Sequence, residues 1–278
     1  MNKILLLALT TIAPAVSAQT VYINETFDVS ETIGNAPTDP AQRRSSVSTV
    51  QAGAGVIGTD NVARYADGSA ATSGALEYSV GPTAVDNLYI RFEVLNNGAA
   101  GATGSFIFGV GLVNDGTGST LTGAAARAVA VDFGSASGAV NIRSNATSFA
   151  SGTYTSSALQ TVKIWVNDKD DATVSYVRPD TSALATLNAN SAVVWINNAL
   201  VGGATESGIS MSSVAGTVSA SPTLGRFGFN SVSSAIADFS IDNLLVTSIP
   251  VAIPEPAASA ALAGAGLLGL AALRRRRA

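Results

Sequence analysis

Cysteine and histidine are both absent from the 278 residues of this chain. Their absence excludes disulfides, thiol nucleophiles, catalytic triads that need histidine, and metal sites built from imidazole or thiolate ligands. Charged residues make up only 12% of the chain and aromatic residues only 6%. The composition is instead rich in Gly, Ser, Thr, Val and Asn, which favours strands and turns over helices. We therefore expect an all-β protein held together by a buried core.

The basic residues are unevenly placed along the chain. Of the 15 basic residues, Lys3 and Arg274 to Arg277 lie at the two ends, which leaves 10 between Gln19 and Pro256. All 19 acidic residues lie in that same middle part, so its formal charge is −9. An acidic body of this kind repels phosphate backbones and disfavours nucleic acid as a partner.

The N-terminus has the three parts of a secretory signal peptide. Lys3 precedes an apolar run from Ile4 to about Ala13, and Val16-Ser17-Ala18 follows with small or branched residues. This pattern predicts export, with residues 1–18 removed by signal peptidase between Ala18 and Gln19. A buried N-terminal helix or strand is the alternative.

The C-terminus combines two prolines, an apolar run and a basic tail. Residues 249–256 are predicted to form a linker, and residues 257–273 form an uncharged run of about 17 residues, the lower limit for a membrane helix. The last five residues, 274–278, include Arg274, Arg275, Arg276 and Arg277. These arginines are expected to stay cytoplasmic as a membrane stop signal, leaving the body outside the inner membrane.

The three parts of this tail occur in the order of a known sorting signal. Pro254-Glu255-Pro256, a single short span and a terminal arginine cluster resemble the PEP-CTERM signal of bacterial proteins. The resemblance implies that Pro254, Glu255 and Pro256 are recognised by exosortase, a membrane protease-transpeptidase, and that the tail is removed. The chain would then contact the inner membrane only transiently. The alternative is a permanent C-terminal anchor, which the same span also permits.

Between the two ends, the dominant pattern is the period-two alternation of half-buried strands. In "LYIRFEVL", residues 88–95, and in "TVKIWVN", residues 161–167, large apolar side chains alternate with polar or aromatic ones. In "FIFGVGLV", residues 106–113, glycines take the face opposite Phe106 and Phe108, where a neighbouring chain can approach closely. The segment 182–192 is predicted to be a loose loop or one helical turn.

These strands and their turn clusters predict one antiparallel two-sheet β-sandwich over residues 19–248, flanked by an N-terminal signal helix and a C-terminal transmembrane helix. Three phrases of the sequence resemble LamG-like, concanavalin-type jelly-roll domains. They are an early "NETFDVSETIGNAP", a middle "VKIWVNDKDDATVSYVRP" hairpin and a final "FSIDNLLV". The resemblance implies a jelly roll whose last strand lies beside its first.

Two groups of carboxylates are candidates for metal binding. Asp168 and Asp170 begin like a calcium loop, but Thr173 and Pro179 then stand where such a loop needs Gly and Glu. A charged turn is the simpler interpretation, since Asn and Asp are expected in turns. Asp238 and Asp242 share one face of a strand, either as a metal or sugar site or as the polar side of a strand whose other face is buried.

Four aromatic residues are candidates for stacking on sugar rings: Tyr89, Trp165, Tyr176 and Trp195. Trp165 and Tyr89 are the first choice for a glycan contact, because each lies opposite the aliphatic side of its strand. Packing under a covering segment is the alternative for the tryptophan. The acids are scattered singly, and the Glu-x-Asp-x-x-Glu motif by which jelly-roll glucanases resemble one another is missing, so no catalytic residues are predicted.

Together these features predict an exported, non-enzymatic protein of the cell surface or of an exopolysaccharide matrix, with no cofactor unless calcium binds. A lectin-like carbohydrate-binding module is the alternative, followed by a glycan-degrading enzyme.

Overall fold

The computed structural model describes residues 19–27, 31–32, 44–45, 50–57, 60–67, 75–79, 84–112, 127–144, 147–201, 205–211, 224–231 and 236–249. Its strands, in chain order, are β1 (Val21–Glu25), β2 (Glu31–Thr32), β3 (Arg44–Ser45), β4 (Val50–Ile57), β5 (Asp60–Asp67), β6 (Ala75–Ser79), β7 (Asn87–Asn96), β8 (Ser105–Leu112), β9 (Arg127–Gly134) and β10 (Ala139–Ser144). They continue with β11 (Thr147–Thr153), β12 (Gln160–Asn167), β13 (Val174–Val177), β14 (Leu184–Leu187), β15 (Ser191–Ile196), β16 (Ala199–Leu200), β17 (Ile209–Ser210), β18 (Leu224–Ser231) and β19 (Ala237–Thr247).

Two antiparallel sheets form the body of the protein. One has ten strands in the order β16-β15-β12-β7-β19-β5-β4-β2, with β1 added beside β19 and β17 beside β15. The other has seven strands in the order β11-β10-β9-β8-β18-β6-β3. The chain passes repeatedly from one sheet to the other, for example between β5 and β6, between β7 and β8, and between β18 and β19. These crossings confirm the predicted all-β, two-sheet antiparallel sandwich.

The first and last strands pair as expected. β1 runs antiparallel to β19, with Ile23 opposite Val246 and Glu25 opposite Leu244. The other half of β19 pairs with β5 on the same edge, while β7 lines its opposite edge. A register shift in β19 after Asp242, where Asn243 has a φ of 50°, separates the two halves.

The space between the sheets is filled by aromatic and branched side chains. Phe92 of the ten-stranded sheet lies 4.7 Å from Phe108 of the seven-stranded sheet, and Phe106 lies 4.4 Å from Phe239, both measured between ring centroids. All four rings are fully buried. The alternation seen in the sequence is thus confirmed, because Phe92, Phe106 and Phe108 all occupy the inward faces of their strands.

Two local predictions are wrong. The segment "VKIWVNDKDDATVSYVRP" is not one hairpin, because β12 pairs with β7 and β15, whereas among the described strands β13 pairs with β14 alone. Residues 182–192 are not a loose loop or a helical turn, since they contain β14 and the start of β15. In both cases the prediction was based on local turn residues. The observed strands are instead determined by pairing with strands that are distant in the sequence.

The predicted terminal helices lie outside the described residues, as do the basic tail and the linker beyond Ile249. Within the part of the chain that the structure describes, no helix is long and apolar enough to cross a membrane.

Candidate functional site

The outer face of the ten-stranded sheet carries an aromatic and basic surface on three neighbouring strands. Trp165 of β12 is opposite Tyr89 of β7, and Lys163 is opposite Arg91 one pleat further along. Lys163 also faces Trp195 of β15 on its other side. Because side chains alternate along a strand, all five project from the same face, away from the sandwich core.

A separate hairpin covers part of this surface. After β12 the chain leaves the ten-stranded sheet, forms the β13–β14 hairpin, and returns as β15 beside β12. The hairpin and the sheet enclose a second apolar cluster, separate from the main core, that consists of Trp165, Tyr176, Leu187, Val193, Trp195 and Ile249. The hairpin is therefore held to the sheet by its own small core.

Tyr176 is the residue that attaches the hairpin most directly. Its ring centroid lies 4.9 Å from that of Trp165, and its hydroxyl donates a hydrogen bond of 2.9 Å to the carbonyl oxygen of Glu206. Burial raises the pKa of Tyr176, so the hydroxyl stays protonated and can keep donating.

An open cleft of about 440 Å³ remains where the hairpin meets the sheet. Its aromatic lining consists of Tyr89, Trp165 and Tyr176, with ring centroids 4.9 Å apart for both neighbouring pairs. Trp165 is only 6% exposed, and Tyr89 is half-buried. The floor of the cleft is thus apolar, and Gln19, Lys163, Arg178 and Ser182 supply polar groups around it.

Arg178 is fixed at the rim of the cleft by three neighbours. Its guanidinium forms a two-pronged contact with Asp180, at 3.0 and 2.6 Å, and an ion pair with Glu206. The same group lies 5.8 Å from the ring centroid of Trp195, in cation–π geometry. The hydrogen bond to Asp180 raises the pKa of Arg178 and lowers that of Asp180, so both stay charged. The charge of Arg178 at the rim is therefore paired with two carboxylates.

Gln19 brings the beginning of the predicted mature chain to the same cleft. Its Nε2 donates to Oγ1 of Thr247 at 2.5 Å and to the carbonyl oxygen of Ser248 at 3.2 Å. The amide of Thr20 in turn donates to Oγ of Ser248 at 2.9 Å. These bonds tie residues 19 and 20 to the end of β19 and leave Gln19 lining the cleft.

All four aromatic candidates from the sequence lie in this one place. Tyr89 and Trp165, the first choice, line the cleft together, and Tyr176 and Trp195 belong to the same apolar cluster. Trp165 lines the cleft and is also packed under the hairpin. Its environment therefore has features of both interpretations, a glycan contact and packing under a covering segment. Arg178 and Gln19 were missed, because they reach the cleft from a separate hairpin and from the chain terminus.

Asp168 and Asp170 do not come together as a metal site. Asp168 is fully buried at the end of β12, and its backbone amide donates to the carbonyl oxygen of Asp86 at 2.7 Å. Asp170 is exposed and accepts a hydrogen bond from Asn190 at 3.1 Å. Within the described ranges, no group of three metal-ligating side chains occurs. The segment 168–173 connects β12 to β13, two strands that do not pair with each other.

Asp238 and Asp242 also have separate surroundings. Asp238 accepts hydrogen bonds from Arg64 at 3.0 and 2.5 Å and from Asn97 at 2.9 Å. Burial opposes its charge, yet the bonds from Arg64 and Asn97 outweigh burial, so the pKa of Asp238 is lowered. Asp242 is buried at the register shift of β19. The contacts of Asp238 account for it as a polar group of the strand, and Phe239 and Ile241 are buried on the other face of β19.

The residues predicted for sorting and cleavage fall mostly beyond what the structure describes. Ala18, the Pro254-Glu255-Pro256 motif, the span 257–273 and Arg274 to Arg277 lie outside the described residues. Gln19 on the mature side of the predicted cleavage point is described, and its side chain is at the cleft.

No protein-family model and no curated protein sequence matches this chain. Among solved structures, it is similar to the carbohydrate recognition domain of Emp47p, with 11% identity, a TM-score of 0.48, and coverage of 82% of this chain and 97% of that one. It is also similar to arcelin-5, a lectin-like defence protein of Phaseolus vulgaris, with 10% identity, a TM-score of 0.42, and coverage of 80% and 98%. A sialidase of Trypanosoma rangeli matches at 9% identity and a TM-score of 0.45, over 78% of this chain and 30% of the enzyme.

Proposed function

We propose that this chain is an exported, non-enzymatic protein of the cell surface or extracellular matrix that binds carbohydrate in the cleft between the β13–β14 hairpin and the ten-stranded sheet. The observation that carries the proposal is the grouping of Tyr89, Trp165 and Tyr176 in one open cleft with polar groups around it. The half-buried ring of Tyr89 would offer its apolar face to the CH face of a sugar, above the nearly buried rings of Trp165 and Tyr176, while side chains such as Gln19 and Ser182 would bond the sugar hydroxyls.

The lining of the cleft supports binding without cleavage. Glycoside hydrolysis generally needs a pair of carboxylates flanking the bond that breaks. Among the described residues that line the cleft, none is Asp or Glu. The nearby carboxylates of Asp180 and Glu206 are engaged by Arg178 at the rim. This lining supports the proposal that a ligand in the cleft is bound without being hydrolysed.

Export and sorting form the second half of the proposal, and they are supported by the two ends of the sequence. Signal peptidase would remove residues 1–18, and exosortase would recognise Pro254-Glu255-Pro256 and remove the tail after transient insertion in the inner membrane. The body would then reach the surface or an exopolysaccharide matrix, where a glycan-binding cleft would attach it to polysaccharide. A purely structural matrix protein with no glycan affinity is the competing function.

A binding assay separates these two functions. Protein purified after export by its own host is applied to a glycan array and to the matrix polysaccharide of that host, with and without a chelator. We expect binding that the chelator does not change and that the Tyr89→Ala variant weakens, because this half-buried ring is the accessible aromatic wall. Tyr22→Phe, which changes a tyrosine outside the cleft, is the matched control. Failure to bind any of these glycans would contradict carbohydrate binding and favour the purely structural function.

Mass spectrometry of the same exported protein tests the sorting proposal. We expect an N-terminus at Gln19 and a C-terminus at or near the Pro-Glu-Pro motif in cells that contain exosortase. An intact chain ending at Ala278 in such cells would contradict the sorting proposal and support a permanent anchor.

A further inference from the structure

A second depression continues the cleft along the outer face of the ten-stranded sheet. It has a volume of about 400 Å³ and is lined by Arg91, Thr161, Lys163, Asn197 and Asn198. Lys163 lines both this depression and the aromatic cleft. The two depressions therefore adjoin at the side chain of Lys163, and together they are called the groove.

Lys163 lies in an unusual electrostatic position. It is directly opposite Arg91 across the β7–β12 pair, where side chains of like charge repel each other. Its amine donates to Oδ1 of Asn198 at 3.0 Å, and no described carboxylate forms an ion pair with it. Arg91 uses one guanidinium nitrogen for Glu93, at 2.8 Å, which leaves further N–H donors on that group. A bound anion would bridge the two cations and relieve their repulsion.

The wall of the depression is a tight turn that holds its polar groups in place. Asn197 and Asn198 have φ values of 48° and 65°, the left-handed pair that a two-residue hairpin turn requires. Oδ1 of Asn197 accepts from the amide of Thr161 at 2.8 Å, and its Nδ2 donates to Gln160 at 2.7 Å. The turn thus places Asn198, the acceptor for Lys163, directly after the fixed Asn197, and the amine of Lys163 is directed to a residue that lines the depression.

We propose that this groove selects acidic polysaccharide: a carboxylate or sulfate of one sugar unit is held between Lys163 and Arg91, while a neighbouring unit packs in the aromatic cleft. The proposal rests on the proposed function and specifies its ligand class. Beyond the paired charges, it is supported by the position of Lys163, which lines both depressions and so places a cation beside the aromatic cleft. The formal charge of −9 on the body opposes polyanion binding elsewhere on its surface. Cations gathered at one groove let such a body bind a polyanion.

The chain offers a closely matched control for the test. Between residues 19 and 256 its only lysines are Lys163 and Lys169. Lys169 follows β12 in the turn and lies 3.7 Å from a carboxylate oxygen of Asp86, outside the groove. Lys163→Gln and Lys169→Gln therefore remove the same charge from positions six residues apart, and only the first is expected to change binding. Arg91→Gln tests the partner cation, and Lys163→Arg restores the charge.

The experiment uses protein purified after export by its own host and measures its affinity for sodium alginate as an acidic probe and for dextran as a neutral one. We expect alginate to bind more tightly than dextran, and Lys163→Gln to weaken alginate binding about tenfold, the effect of losing a charge-assisted hydrogen bond. Lys163→Arg should retain most of the affinity. Raising NaCl from 0.1 to 1 M shortens the screening length from about 10 to about 3 Å and should weaken the binding of alginate but not of neutral sugar.

Amine labelling supplies a readout at the site itself. Saturating alginate should protect Lys163 from acetylation and leave Lys169 reactive. Equal affinity for alginate and dextran, with no effect of Lys163→Gln and no protection, would overturn the acidic-ligand proposal and leave carbohydrate binding standing. Failure of both probes and of the native matrix polysaccharide to bind would overturn both proposals.

Discussion

Tyr176 and Trp165 stand ring beside ring, with centroids 4.9 Å apart, although Trp165 belongs to the ten-stranded sheet and Tyr176 to a hairpin outside both sheets. Tyr176 is 1% exposed and Trp165 is 6% exposed, so each ring covers the other from solvent. This contact creates the wall and floor of the cleft. The candidate site therefore depends on the docking of one short hairpin.

Removing the Tyr176 ring is expected to loosen that hairpin. Tyr176→Ala should lower the free energy of unfolding by about 3 kcal/mol, because it empties the centre of the second apolar cluster. Tyr176→Phe keeps the ring and loses the hydrogen bond to Glu206, and it should cost about 1 kcal/mol. Urea unfolding measures both values. Both tryptophans of the chain lie in this cluster, so a red shift of their fluorescence should accompany the alanine variant in native buffer.

That experiment has a clear contrary outcome. If Tyr176→Ala unfolds at the wild-type urea concentration and leaves the tryptophan emission unchanged, the hairpin is held by other contacts. The Tyr176–Trp165 contact would then not be what docks the hairpin on the sheet.

Two glycines at matching positions of the seven-stranded sheet should respond differently to alanine. Gly228 of β18 and Gly109 of β8 are direct partners. A Cβ at Gly228 would meet the Leu76 carbonyl oxygen and would lie 2.9 Å from Cα of Glu77, both backbone atoms of β6. A Cβ at Gly109 would only touch the flexible side chain of Arg127, at 3.4 Å.

We therefore expect Gly228→Ala to destabilise the fold by at least about 2 kcal/mol, since the β6–β18 pair must separate. Gly109→Ala should change the stability by less than about 1 kcal/mol. Thermal or urea unfolding of the two variants checks this. Similar losses in both would show that β6 can move away from β18 without cost.

The Asp238 carboxylate should make stability depend on acid pH. Burial acts to raise its pKa, but hydrogen bonds from Arg64 and Asn97 outweigh burial and lower the pKa in the folded protein. Its contribution is then fully present above the unfolded pKa of about 3.9 and is lost as the pH falls through the lower folded value. Asp238→Asn should cost about 1 kcal/mol at pH 6, as expected for a partly exposed ion pair.

That difference should shrink as the pH falls below about 4, because the wild-type carboxylate then becomes protonated too. Unfolding curves of both proteins between pH 6 and pH 2 measure it. A gap between wild type and variant that stays constant over this range would contradict the assigned pKa shift.

The position of Gln19 predicts that residues joined to the N-terminus of the mature chain affect ligand binding in the cleft. Because Gln19 lines the cleft and is bonded to Thr247 and Ser248, residues placed before it must leave from the edge of the cleft. A peptide tag joined directly to Gln19 should weaken glycan binding several-fold. Protease removal of that tag should restore the affinity in the same sample. Equal affinity before and after removal would show that the N-terminus leads away from the ligand.

The sequence predicted the body of the fold well, because its strands alternate with a clear period of two. Phe92, Phe106 and Phe108 could be assigned to the core from local pattern alone. The β13–β14 hairpin could not, since Asn167 to Asp171 resemble the tight turn of a simple hairpin. Which strand β12 chooses as a partner depends on contacts between distant residues, and single-sequence patterns do not carry that information.

The sequence also predicted part of the candidate site, namely its aromatic residues, but not the polar residues at its rim. Tyr89 and Trp165 could be singled out because each is an aromatic residue on the face of its strand opposite the aliphatic face. Arg178 could not, because its place at the cleft comes from the fold of a hairpin that the sequence pattern assigned differently. Gln19 reaches the cleft only because β1 pairs with the end of β19, a pairing between the two ends of the body.

The most direct test of carbohydrate binding in this cleft is an NMR titration that follows the two tryptophan indole N–H signals of the exported, ¹⁵N-labelled protein. Trp165→Phe assigns the signals. Oligosaccharides of the host matrix are added to saturation. The proposed function predicts a saturable shift of the Trp165 signal, with a dissociation constant that Tyr89→Ala increases. Saturation of the protein with no shift of Trp165, or no binding at all, would contradict it.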